Sequence, residues 1–104
     1  MVYSVHITET FEKEVLELGK DKQERIGKLY FHLKDNPYVG DQLKFKFFRE
    51  KRLDEKRIYY LVYDDLKVVL MVAVSGKKDQ QETINYIINH LNEFKEYAEK
   101  LTGN

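Results

Sequence analysis

The chain has 104 residues, 18 Lys and Arg against 18 Asp and Glu, and no cysteine. That length fits one compact domain, expected to span residues 1–104. The missing cysteines exclude disulfides and thiolate metal sites, and the zero net charge argues against a chain coated in positive charge for nucleic acid.

The start, Met1-Val2-Tyr3-Ser4-Val5-His6, has no basic segment followed by an apolar run. No apolar run approaches the roughly 20 residues that a membrane span needs. The expectation is a cytoplasmic chain without signal peptide or membrane segment.

Val2 to Thr8 alternates, with Tyr3, Val5 and Ile7 on one side, which predicts a half-buried strand. Thr8 or Thr10 then caps a helix to about Leu18, ended by Gly19. Phe11, Val15 and Leu18 share its apolar face. Asp21 with Glu24 has the form of a capping box opening a second helix, with Ile26, Leu29, Tyr30 and Leu33 at helical spacing. Asn36-Pro37 stops it, because the residue before proline avoids the helical region. The two helices form a hairpin able to cover one sheet face.

Tyr38 to Gln42 reads as a loop and Leu43 to Arg49 as the second strand, followed by a polar turn over Lys51 to Glu55. Two apolar runs, 56–63 and 68–74, flank Asp64-Asp65-Leu66-Lys67. This is a hairpin signal. Neither run alternates cleanly, so both are expected in mid-sheet with both faces covered. After the short basic loop Gly76-Lys77-Lys78, Asp79 with Glu82 offers another capping box. One long helix to about Leu101 is expected, with an apolar stripe of Ile84, Ile87, Ile88, Leu91, Phe94, Ala98 and Leu101. The predicted class is α+β, in the order β-α-α-β-β-β-α.

Charge is unevenly spread. Lys44, Lys46, Arg49, Lys51, Arg52, Lys56 and Arg57 stand against only Glu50, Asp54 and Glu55 in the stretch 44–57. A basic centre in slightly acidic surroundings points to a local anion site. Lys77 and Lys78, at the end of the last strand, would join that centre if the strands share one sheet. Cations that bind a phosphate backbone and tyrosines that stack on bases would suit RNA. A solvated edge strand guarded by lysines explains the same residues without a ligand. His6, His32 and His90 lie on three separate elements with no partner at metal-ligand spacing, so no metal site is expected. Neither a glycine-rich phosphate loop nor a nucleophilic serine motif occurs.

Arg57-Ile58-Tyr59-Tyr60, then Val62, Asp64-Asp65, a Val-rich strand and Gly76-Lys77-Lys78, resembles the RelE/ParE superfamily of toxin–antitoxin toxins. Glu50-x-Arg52 and Lys77-Lys78-Asp79-Gln80 resemble its HigB-like and archaeal RelE-like branches. The resemblance implies that superfamily's fold: an antiparallel-rich sheet with a helix hairpin and a C-terminal helix. It implies a toxin that cuts messenger RNA on the ribosome without metal or other cofactor, held by a small RelB-like antitoxin. By position, Arg57 would contact the scissile phosphate and Lys77 or Lys78 would serve the leaving oxygen. Arg52, or Lys44 and Lys46, would supply further cations, a lysine among them serving as base if its neighbours lower its pKa. Arg49, Lys51 and Tyr86 would complete an RNA-binding surface, although the helix tyrosine of bacterial RelE falls near Ile84, two positions from Tyr86. The same superfamily contains ParE-like inhibitors of DNA gyrase, so a non-nuclease binding module is the alternative.

Overall fold

The computed structural model describes residues 2–103. Strand β1 (Ser4–Ile7) is followed by helices α1 (Glu9–Leu16) and α2 (Lys20–Leu33). Strands β2 (Asp41–Gln42), β3 (Phe48–Leu53), β4 (Lys56–Tyr63) and β5 (Val68–Ser75) come next, then helices α3 (Gln80–Asn89) and α4 (Leu91–Leu101). The strands form one sheet in the order β1-β5-β4-β3-β2. All neighbours are antiparallel except β1 and β5, which run parallel.

The sheet has a core on each face. Ile58, Tyr60, Val62, Val69 and Met71 join Val5, Phe11, Ile26, Leu29 and Leu33 beneath α1 and α2. Phe48, Tyr59, Leu61, Tyr63, Val68 and Leu70 join Ile87 and Ala98 beneath α3 and α4. This two-sided cover explains why the runs 56–63 and 68–74 lack alternation. The central hairpin forms as expected, with Lys67 closing its turn at φ 53°. Register between β4 and β5 shifts after Tyr59: Tyr59 opposes Ala73 and Tyr60 opposes Met71, so Val72 is an extra residue. Such a bulge bends a strand and re-aims its side chains.

Thr8 caps α1, its hydroxyl accepting from the Phe11 N–H at 3.1 Å. The other expected capping boxes do not form. Gly19 precedes α2 with no side-chain cap, and Asp21 lies inside the first turn. Asp79 turns its carboxylate back to accept from the Gly76 N–H at 2.8 Å, closing the basic loop instead of capping the helix.

Two further expectations are corrected. The second strand is not Leu43 to Arg49, and Lys51 to Glu55 is not the turn. Lys44 to Phe47 is a tight loop closed by Leu43 N–H donating to the Phe48 carbonyl at 2.9 Å. Its phenylalanines stack at 5.1 Å and pack on the core beneath α3 and α4. The strand therefore starts at Phe48, and its turn falls at Asp54, which takes φ 56°, a left-handed conformation that Asp tolerates.

The expected single C-terminal helix is broken at His90 (φ −120°, ψ 19°). In a continuous helix the Tyr86 carbonyl would accept from the His90 backbone N–H. Here His90 Nδ1 takes that carbonyl at 2.7 Å, its ring stacks on Tyr86 at 4.0 Å, and its backbone N–H goes to Ile87. The apolar stripe nevertheless stays on the core through both halves.

Candidate functional site

Register decides which basic residues meet. Arg57 opposes Arg52 on β3 and Ser75, the last residue of β5. Glu50 opposes Tyr59 on the same face, towards α3. Arg57 and Glu50 are both almost buried, with side chains 10% and 12% exposed. Glu50 Oε2 lies 3.9 Å from Arg57 Nε, too far for a hydrogen bond. Arg57 Nε and Nη1 are buried with no hydrogen-bond partner among the described residues.

The neighbouring polar groups are already committed. The Tyr59 and Ser75 hydroxyls bond each other at 2.8 Å. Burial pushes the Tyr59 hydroxyl up to about 12, with the Ser75 bond and Arg57 opposing and the charge of Glu50 and a hydrogen bond to it adding. Gln80, at the start of α3, donates to Glu50 Oε2 at 2.9 Å. Most buried polar groups in folded proteins are paired, so an arginine with two unsatisfied nitrogens is an exception that a ligand would resolve. Guanidinium N–H groups are strong donors to the oxygens of a phosphate.

Lys77 and Lys78 are exposed in the loop immediately after Ser75, at the same end of the sheet. Arg52 is exposed, its Nε donating to the Asp54 carbonyl at 3.2 Å. Arg52, Arg57, Lys77 and Lys78 thus belong to one end of the sheet.

The remaining candidates lie elsewhere. Arg49 and Lys51 alternate with Glu50 and Arg52, so they face α2, on the opposite side of the sheet. Arg49 is occupied there by the carbonyls of Lys46 (2.9 Å) and Gly40 (3.0 Å) and by the Tyr38 ring. Lys51 lines a hollow with Arg25, Lys28 and His32. Lys44 and Lys46 sit in the loop before β3, over the rings of Phe45 and Tyr38. Lys46 also borders a cleft of about 560 Å³ with Tyr63, Asp65 and Lys95, which does not include Arg57. Tyr86, 56% exposed, lines a separate groove with Glu14, Asp79 and Glu82. Those carboxylates make it a poor surface for a phosphate backbone.

Sequence reasoning singled out neither Glu50 nor Gln80 as a site residue. The signal for Glu50 was its two-residue spacing from Arg52 on a strand. It was obscured because the strand was expected to end before Lys51.

No protein-family model matches the chain, and no curated protein matches it. Solved structures do. A free mutant of the Escherichia coli toxin RelE superposes with a TM-score of 0.74 at 22% identity, covering 86% of this chain and 98% of its own. The RelE–RelB complex of Pyrococcus horikoshii gives 0.67 at 21% identity, covering 74% and 97%. The RelBE toxin–antitoxin complex of Mycobacterium tuberculosis gives 0.65 at 21% identity, covering 74% and 100%. The chain has the RelE fold. In this fold Arg57 opposes Ser75, the last residue of the strand that leads to α3. Among the described residues no helix is long and apolar enough to cross a membrane.

Proposed function

We propose that the chain is the toxin of a toxin–antitoxin pair and cleaves messenger RNA on the ribosome by side-chain acid–base chemistry. The observation that carries this is Arg57: a nearly buried guanidinium with two unpartnered nitrogens, beside a carboxylate and followed in space by exposed lysines. The RelE fold supports the same direction, since similar chains are toxins found with RelB antitoxins. A small RelB-like antitoxin, the ribosome and messenger RNA are the partners this reading requires, in the cytoplasm.

In this mechanism Glu50 takes the proton from a ribose 2′-hydroxyl. The 2′-oxygen attacks the adjacent phosphorus as the bond to the 5′-oxygen breaks. The Arg57 guanidinium donates to the non-bridging oxygens and neutralises the charge that builds on them. Lys78, or Lys77 beside it, gives the departing 5′-oxygen a proton. The products are a 2′,3′-cyclic phosphate and a 5′-hydroxyl. The base in this reading is Glu50 rather than a lysine, because Glu50 shares Arg57's face whereas Lys44 and Lys46 sit in the loop before β3.

The test is primer extension on a message in a cell-free translation reaction with and without the purified chain. New ends within codons, absent when ribosomes are omitted, are the expected result. A message left intact by folded protein removes the nuclease reading under those ribosomes.

A further inference from the structure

Glu50 and Arg57 face each other across a gap that their charges should close. Contact ion pairs with a guanidinium sit at about 2.7–2.9 Å, whereas Glu50 Oε2 is 3.9 Å from Arg57 Nε. Both side chains are about nine-tenths buried, where little water screens the attraction. Something must hold the carboxylate back. The same oxygen, Oε2, accepts from Gln80 Nε2 at 2.9 Å. Gln80 is the first residue of α3, so its amide is anchored to an element outside the sheet. The Tyr59 hydroxyl bonds Ser75 and also reaches the Glu50 carboxylate, and neither hydroxyl holds Arg57.

We propose that Gln80 is a positioning residue that holds the Glu50 carboxylate off Arg57 and so keeps the guanidinium open for a phosphate group. The phosphate-site part of this inference rests on the function proposed above; the restraint itself rests on the three side chains. Without the amide donor, Glu50 closes on Arg57, takes the Nε–H with its own oxygen, and shuts out any other anion. The helix thereby sets whether the cation is free or neutralised. With the donor in place, one carboxylate oxygen is fixed and the other is left to accept a proton.

Three proteins, with two controls, test this by the arginine side-chain Nε–H signals in ¹H–¹⁵N spectra, titrated with inorganic phosphate. They are the wild type, Gln80→Met, which keeps bulk and loses the donor, and Gln80→Met combined with Glu50→Gln. The Arg57 signal is assigned by its loss in Arg57→Lys. In the wild type it is expected to shift with phosphate. In Gln80→Met it should lie downfield before any phosphate is added, as Glu50 bonds it. The phosphate dissociation constant should rise about tenfold, the equivalent of one charge-assisted hydrogen bond. Neutralising Glu50 in the double variant should restore the wild-type response. Gln80→Ala should behave as Gln80→Met and guards against a packing effect of the methionine.

Equal phosphate response in the wild type and Gln80→Met overturns the proposal. So does a wild-type Arg57 signal that ignores phosphate, or a double variant that fails to recover. RNA cleavage by the same proteins separates the two readings. An absent nuclease with the expected phosphate response removes the nuclease and leaves the Gln80 restraint standing.

Discussion

Two polar clusters sit at opposite ends of the central hairpin, and they differ in a way that charge alone does not show. At the turn, Asp64 accepts from Tyr3 at 2.6 Å and from Tyr38 at 2.7 Å, one hydroxyl on each oxygen. The Tyr3 and Tyr38 bonds hold the Asp64 carboxyl below its usual range. Burial, then the Asp64 bond, pushes the Tyr38 hydroxyl well up. That cluster is exposed at its carboxylate, and each carboxylate oxygen is paired. At the other end, Arg57 and Glu50 are almost buried and unsaturated. Folding alone would favour the opposite, since unpaired buried polar groups are costly and exposed ones are not. The Asp64 cluster ties β1 and the segment after α2 to the hairpin turn, which is structural work. The Arg57 cluster leaves buried donors unpaired, a cost that a ligand would relieve.

The largest expected effect breaks the open cluster. Arg57→Ala should lower RNA cleavage by about 10²–10³, the cost of losing an electrostatic stabiliser of the transition state. Primer extension measures it, with circular dichroism confirming that the variant is folded. Cleavage unchanged in a folded variant removes Arg57 from the mechanism. Glu50→Gln should also lower cleavage by about 10² or more, the usual range for loss of a general base.

The next effect lies between the clusters, on the support of β3. A Cβ at Gly40 would stand 2.7 Å from the Glu50 backbone oxygen and 2.8 Å from the Tyr60 hydroxyl. That hydroxyl also accepts from the Gly40 N–H at 2.9 Å, and the Tyr60 ring is fully buried. Neither neighbour can yield cheaply. Gly40→Ala should cost about 1–3 kcal/mol in urea unfolding, the range for overpacking. A neutral result would show that the loop before β2 can move aside.

Much of this was legible in the sequence. The hairpin, the paired helices after β1 and both apolar layers follow from periodicity and turn residues, and each is present. Of the basic candidates legible in the sequence, Arg57, Arg52, Lys77 and Lys78 share one end of the sheet, while Lys44, Lys46, Arg49 and Lys51 lie elsewhere. Three features were hidden. The stretch 43–49 has strand-forming phenylalanines, but tertiary packing folds them into a loop, and this moved β3 along by several residues. That slip concealed Glu50 and left Lys51 in a turn, whereas it lies on β3 beside Arg49, facing α2. The break at His90 carries no proline or glycine; a side-chain bond to a backbone carbonyl makes it. Gln80 is met only through space, since 30 residues separate it from Glu50.

The smallest expected effect sharpens the comparison. Asp64→Asn leaves only one side-chain oxygen to accept, so one of the two tyrosine hydroxyls loses its partner. The site is exposed, so water compensates and the cost should be about 1 kcal/mol at neutral pH. The Asp64 carboxyl titrates below its ordinary value in the folded chain. Its contribution is therefore fully present above the unfolded value, about 3.9, and is lost as pH falls through the lower folded value. The stability gap between wild type and Asp64→Asn should hold from neutral pH to about 4 and close below it. Urea unfolding at neutral pH and near pH 3 measures this. RNA cleavage should stay unchanged, because the saturated cluster offers nothing to a substrate. A cleavage defect larger than the stability defect would put Asp64 and Arg57 in one network, and saturation would no longer separate structural groups from functional ones.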